Sequence, residues 1–229
     1  MLSNFSDEKK TSPIKSDLQI LIKDTQVFDN GSLYLIKTLI SCGENSETKE
    51  FILFNSQKEE LSLVVGEITV EKFSAIEYAA GVCEAARRGA NILSYGKNSA
   101  SILKLKLCRK GFSKESAEGA TNYLQKSGYI DELSDVERVI EISVGKLWGK
   151  RKIINHLYEK GYKSETIRNT AEFMEQFDFE ENCLNLLKKK YRTPSSTAFQ
   201  KDKASAFLMR NGYHSTEIKH AINAFCEDE

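Results

Sequence analysis

Eight basic residues, Arg87, Arg88, Lys97, Lys104, Lys106, Arg109, Lys110 and Lys114, fall between Ala85 and Lys114 with no acid among them. Side chains of this kind can neutralise phosphates and release the counterions condensed on a nucleic acid. They can equally meet an acidic groove on a protein. A second basic window runs from Asn182 to Thr216, where Lys188, Lys189, Lys190, Arg192, Lys201, Lys203 and Arg210 face Asp202 alone. Lys146, Lys150, Arg151 and Lys152 lie between the two. Any one of these lysines is best read as a solvated helix position; the clusters together are candidates for a binding surface. The candidate partner or DNA contacts are Arg87, Arg88, Lys97, Lys104, Lys106, Arg109 and Lys110 from the first window, Lys150, Arg151 and Lys152 from the middle, and Lys188, Lys189, Arg192 and Arg210 from the last.

Catalytic chemistry has little to build on. The histidines are His156, His214 and His220, with no H-E-x-x-H motif and no Cys/His ligand spacing. A phosphate-binding G-x-x-x-x-G-K-[ST] loop and a G-x-S-x-G elbow are both missing from the sequence. No enzyme, cofactor or metal is therefore expected. Cys42, Cys83, Cys108, Cys183 and Cys226 are odd in number and widely spaced, which fits a reducing cytosol better than a disulfide framework. No apolar run approaches the roughly 20 residues that span a bilayer. Residues 1–15 lack the apolar centre of a signal peptide. A cytoplasmic monomer with no membrane partner is the expectation.

The elements that must position these charges change character along the 229 residues. Residues 1–13 are polar and read as a frayed terminus. Ile20 and Ile22 alternate with neighbours in the period of a strand, and Asp29-Asn30-Gly31 favours a tight turn. Residues 32–40, 50–54 and 61–65 read as further short strands, with 41–49 as a polar loop. This predicts a small antiparallel β-rich domain over 1–70. From Ser74 the spacing is helical, with capping boxes at Ser74-Ala-Ile-Glu77, Ser134-Asp-Val-Glu137 and Asp178-Phe-Glu-Glu181. Charge divides too: residues 1–74 hold eight lysines against twelve acids, and the remainder carries four more bases than acids.

The second region repeats. Leu107-Cys-Arg-Lys-Gly111-Phe112, Leu157-Tyr-Glu-Lys-Gly161-Tyr162 and Leu208-Met-Arg-Asn-Gly212-Tyr213 align without gaps, their glycines 50 and 51 residues apart. Leu103, Ile153 and Ala204 stand eight places before each glycine. Ala117, Ile167 and Ile218 stand six after, Ala120, Thr170 and Ala221 nine after, and Leu124, Met174 and Phe225 thirteen after. Glycine in the left-handed conformation ends a helix, and the aromatic behind it packs back. Each unit has room for three helices, predicted at 75–95, 100–110 and 114–127; 135–147, 150–160 and 165–176; 179–191, 199–210 and 216–226. The fold class predicted over 71–229 is thus mainly α: three tandem three-helix repeats (about 75–130, 131–177 and 178–229) stacked into an elongated, curved body.

This pattern resembles the RecX family of bacterial recombinase regulators. The resemblance rests on Leu93-Ser94-Tyr95 with Ser99, on Lys106-Leu107-x-x-Lys110-Gly111-Phe112-Ser113, and on Gly128-Tyr129-Ile130-Asp131-Glu132. Trp148-Gly149-Lys150-x-x-Ile153 and Phe207-Leu208-x-Arg210-x-Gly212-Tyr213 complete it, covering about residues 85–226. The chain departs from the family's pattern at Gly96, usually an arginine, and at Ile102, usually acidic. The resemblance implies a non-enzymatic protein that binds the RecA recombinase filament on single-stranded DNA and restrains its ATPase and strand exchange in recombination and repair. Some members also bind DNA, which keeps a helical DNA-binding regulator of single- or double-stranded DNA as the alternative.

Two further expectations concern surfaces. Ile102 and Leu105 lie opposite the core side of helix 100–110, so this second apolar face is expected to be covered by the β-rich domain or to be a partner patch. Tyr95, Phe112, Trp148, Tyr162 and Tyr213 could stack on bases but are read as corner and core residues.

Overall fold

The computed structural model describes residues 18–194 and 199–227; the polar terminus 1–13 lies outside them. Strands β1 (Leu18–Phe28), β2 (Leu33–Cys42), β3 (Asn45–Phe54) and β4 (Gly66–Ile68) form an antiparallel sheet in the order β3-β2-β1-β4. Asp29–Gly31 makes the β1–β2 turn, with both Asn30 and Gly31 at positive φ. Ile20 and Ile22 of β1, Leu33, Ile36 and Thr38 of β2 and Leu53 of β3 are the sheet's buried residues. The first part of α2 (Val70–Ser94) covers Ile22, Ile36 and Leu53 with Ile76 and Ala79.

The β-region corrects three sequence expectations. Residues 41–49 are not a loop: β2 and β3 run to a two-residue turn at Gly43–Glu44, pairing Cys42 with Asn45 and Leu39 with Thr48. Their side chains are mostly exposed, and backbone hydrogen bonds hold a hairpin ladder that apolar patterning does not reveal. Residues 61–65 are not a strand. They follow a short helix, α1 (Asn55–Glu60), and only Leu63 is buried while Val64 and Val65 lie exposed. Helix α2 starts before Ser74, because Thr69 Oγ1 accepts the Lys72 N–H at 3.2 Å and caps it there.

The chain divides within α2, at Arg87/Arg88, into two compact units. In the second unit, the end of α2 is followed by α3 (Ala100–Arg109), α4 (Lys114–Lys126), α5 (Glu132–Gly145) and α6 (Lys150–Glu159). Then come α7 (Ser164–Asn169), α8 (Ala171–Met174), α9 (Phe179–Tyr191), α10 (Lys201–Arg210) and α11 (Ser215–Glu227). The single helix predicted at 165–176 is broken at Thr170, whose N–H and hydroxyl both bond to the Ile167 carbonyl in the tighter three-residue manner. Helix α5 starts before Ser134 because Asp131 is its cap, accepting the Ser134 N–H at 3.2 Å. Ser113 and Asp178 cap α4 and α9.

The three glycine corners close alike. Gly111, Gly161 and Gly212 have φ of 96°, 79° and 90°. Their N–H groups bond to the carbonyls of Cys108, Tyr158 and Met209, and those of the following aromatics bond to Leu107, Leu157 and Leu208. That pair of bonds is the Schellman motif. Every residue aligned at eight and four before, and six, nine and thirteen after, these glycines is buried.

A second relation, twelve places before each of the first two glycines, was not read from the sequence. Ser99 Oγ donates to the Lys160 carbonyl at 2.7 Å, and a Cβ on Gly161 would lie 2.9 Å from Ile102 Cγ1. Correspondingly, Gly149 N–H donates to Asn211 O at 2.8 Å and Arg151 N–H to Gly212 O at 3.1 Å. The start of α3 thus docks on the Gly161 corner and the start of α6 on the Gly212 corner. Ile102 is half-buried against Gly161, inside the helical unit, while Leu105 stays exposed. The cover on Ile102 is therefore a neighbouring corner, a source the sequence reading did not consider.

Candidate partner-binding surface

The basic candidates separate into several settings. Arg88 and Arg87 are consecutive on α2 and point to different surroundings. Arg87 shares a depression with Glu50, Glu77 and Glu84. Arg88 lines an open hollow of about 550 Å³ together with Lys97, Lys106 and Lys110, Asn91, Asn98 and Tyr95. Among the described residues no carboxylate lines this hollow. Lys106 Nζ donates to Asn98 Oδ1 at 2.5 Å, and Asn98 Nδ2 donates to the Gly96 carbonyl at 2.8 Å, so the ammonium group has a fixed station. Lys97 reaches Asp135 at 3.4 Å, on the start of α5. Arg109 is exposed, outside this lining.

Two further candidates are engaged with acids. Lys104 meets Glu118 at 2.7 Å, and that hydrogen bond holds the Glu118 carboxyl below the usual carboxylate range. Lys150 meets Glu175 at 2.8 Å and lies 5.2 Å from the centre of the Phe179 ring. Exposed pairs like these are worth little to stability, but they lower the charge offered to a partner.

Arg151, Lys152 and Arg210 converge on a smaller depression of about 260 Å³ with Trp148 and His156. Lys152 Nζ stands 4.4 Å from the indole centre and donates to Asn211 Oδ1 at 3.0 Å. The Trp148 and His156 rings meet edge to face at 5.2 Å. These two residues occupy the places relative to Gly161 that Asn98 and Lys106 occupy relative to Gly111. Lys188 and Lys189 lie exposed with Lys190 in the last turn of α9, where cations complement the helix dipole, and Arg192 follows at φ 60°.

Tyr162 and Tyr213 are buried, as expected for corner residues, and the Tyr213 hydroxyl donates to the Leu147 carbonyl at 2.9 Å. Burial, aided by Asp135 and Glu132, pushes the Tyr162 phenol up to about 12, so it stays neutral. Tyr95 departs from the expectation: it is 88% exposed. It sits just past the end of α2, where its backbone N–H bonds to the Ile92 carbonyl at 3.3 Å, beyond the reach of the helix's apolar stripe. The sequence does carry a signal for this: Tyr162 and Tyr213 follow repeat glycines, whereas Tyr95 precedes Gly96 and has no place in the repeat.

All five cysteines are free, and burial pushes the Cys83 thiol up to about 11 and that of Cys183 to about 12. Among the described residues no group of three or more His, Cys, Asp and Glu side chains is placed to hold a metal ion. Among them, too, no helix is long and apolar enough to cross a membrane.

The regulatory protein RecX of Pelodictyon phaeoclathratiforme is 31% identical to this chain over 134 residues, 57% of this chain and 82% of that relative. The chain belongs to the RecX family. RecX of Neisseria meningitidis is 27% identical over 62% of this chain and 93% of its own length, and that of Clostridioides difficile 26% over 61% and 67%. A crystal structure of a regulatory protein RecX superposes with a TM-score of 0.64 at 20% identity, covering 92% of this chain and all of that one. RecX from Lactobacillus salivarius gives 0.53 at 16% identity, over 63% and 96%. No protein-family model matches the chain. The fold is RecX-like: mostly helical, with an antiparallel four-stranded N-terminal sheet.

Within this RecX chain the segment Gly128-Tyr129-Ile130-Asp131-Glu132 has a physical role at nearly every residue. Gly128 turns at φ 76°, Ile130 is buried, and Asp131 caps α5. Glu132 accepts the Ala100 N–H at 2.8 Å through Oε1 and the Thr166 hydroxyl at 3.3 Å through Oε2. One carboxylate thereby ties the start of α3 to α7. The glycine of Trp148-Gly149-Lys150 is explained by close approach, since a Cβ on Gly149 would lie 2.4 Å from the Gly212 carbonyl carbon.

Proposed function

We propose that this RecX protein binds the RecA recombinase filament on single-stranded DNA and modulates its ATPase and strand-exchange activity in recombination and repair. The observation that carries the reading is the cationic hollow of Arg88, Lys97, Lys106 and Lys110, which no carboxylate lines among the described residues, in a chain of the RecX family. We further infer that α3–α4, α6–α8 and α10–α11, with the helix preceding each set, act as three repeats. Their identical corner hydrogen bonds and the docking of Ser99 and Gly149 on the next corners support this. Such a body would hold a filament through many shallow contacts, where area and charge complementarity matter more than a deep cleft.

The test is recombinase ATPase on single-stranded DNA, with purified protein added over a range of ratios and salt concentrations. The expected result is a dose-dependent change that weakens as salt rises. An unchanged rate at every ratio overturns the proposal. A second reading, direct action on DNA, draws support from the bare Tyr95 ring.

A further inference from the structure

The hollow beside α3 combines three features that a merely solvated surface does not need. Its four cations, Arg88, Lys97, Lys106 and Lys110, share it with no lining carboxylate among the described residues, Lys97 alone reaching an acid, Asp135, beyond the lining. Lys106 is held through Asn98 to the Gly96 carbonyl. Tyr95, on the same wall, leaves 88% of its surface in water. Gly96 beside it has open space where a side chain would be, so access to the hollow next to the ring is unobstructed.

We propose that this hollow is a subsite for single-stranded nucleic acid, in which a base stacks on Tyr95 and the adjoining phosphates sit on Arg88, Lys106 and Lys110. The inference deepens the proposed function and rests on it for where such a strand is met. The charge balance favours an anion. The ends of α2 and α3 each bring about half a negative charge. With Lys97 committed to Asp135, three cations still outweigh that. The aromatic ring chooses among anions. An acidic protein loop would use the cations but has no use for an exposed ring, whereas every base has a π-face to offer. A duplex hides those faces in its own stack, so the strand must be single.

The test is fluorescence anisotropy of the full-length protein with a labelled oligothymidylate, measured against salt. Tyr95→Ala should weaken binding about tenfold, corresponding to about 1.4 kcal/mol, within the range found for one stacked base. Tyr95→Phe should bind like the wild type. Tyr95→Ala should leave the slope of log affinity against log salt unchanged, while Lys106→Gln and Arg88→Gln should each flatten it by about 0.7. On an abasic oligonucleotide Tyr95→Ala and wild type should bind alike. Because Tyr95 is exposed, an unchanged melting curve will certify each variant's fold.

The assignment is overturned if Tyr95→Ala binds the oligothymidylate as tightly as wild type, or if Tyr95→Phe is as weak as Tyr95→Ala. It is also overturned if Tyr95 matters only for binding a recombinase filament, since the hollow then serves a protein. The two proposals fail separately. Altered ATPase without Tyr95-dependent oligonucleotide binding removes the subsite alone, and the converse removes filament regulation alone.

Discussion

Gly149 offers the sharpest test of how the helices of this RecX protein are joined. Its backbone is not in the left-handed region, with φ at −76°, so conformational freedom does not explain the glycine. Space does. A Cβ at this position would lie 2.4 Å from the Gly212 carbonyl carbon, 2.5 Å from its oxygen and 2.5 Å from the Tyr213 nitrogen. These are backbone atoms and cannot swing aside. Gly149→Ala must therefore push the start of α6 off the Gly212 corner, losing the bonds from Gly149 to Asn211 and from Arg151 to Gly212. At about 1 kcal/mol for each hydrogen bond and about 1–3 kcal/mol for overpacking, the loss is about 3–5 kcal/mol. For a chain of this size that lowers the melting temperature by roughly 10 °C. The assay is thermal unfolding followed by circular dichroism. Gly145→Ala is the control, because nothing lies within 4 Å of a Cβ there, and its melting temperature should stay level or rise slightly. If Gly149→Ala melts within about 2 °C of wild type, a threshold well below the shift above, the close approach is not what fixes α6.

Two further outcomes follow from the same geometry. Ile102→Glu places a carboxylate against the Gly161 corner and should destabilise the helical unit by about 1–3 kcal/mol; an unchanged urea midpoint would show that this contact contributes nothing. The Asp131 cap, whose carboxyl the Ser134 hydroxyl and N–H hold below the usual aspartate range, gives a pH signature. A depressed folded-state value means that the stabilisation is complete above the unfolded value and is lost as pH falls through the folded one. The gap in stability between wild type and Asp131→Ala should therefore narrow in acid below the ordinary aspartate range, and a gap that stays constant from neutral pH to pH 3 contradicts the capping role.

The sequence by itself determined most of the helical unit. Leu107, Leu157 and Leu208, with their partners eight places before and six, nine and thirteen after the glycines, are buried because helical spacing puts them on one face. The glycines at positive φ could be read for the same local reason, since few other residues adopt that turn. The acid-free basic stretch was equally visible, because charge is a property of composition. Tertiary structure decided what these local rules cannot reach. The β2–β3 hairpin between Cys42 and Asn45 is held by backbone pairing between polar residues. The docking of Ser99 and Gly149 on the following corners joins residues some sixty positions apart, a distance at which hydropathy carries no signal. The same holds for the cations: only packing engages Lys104 and Lys150 with acids, gathers Arg88, Lys97, Lys106 and Lys110 around a bare Tyr95, and leaves Arg87 among carboxylates. Periodicity names the face on which a side chain starts, but what it meets there depends on elements that the chain brings back from far away.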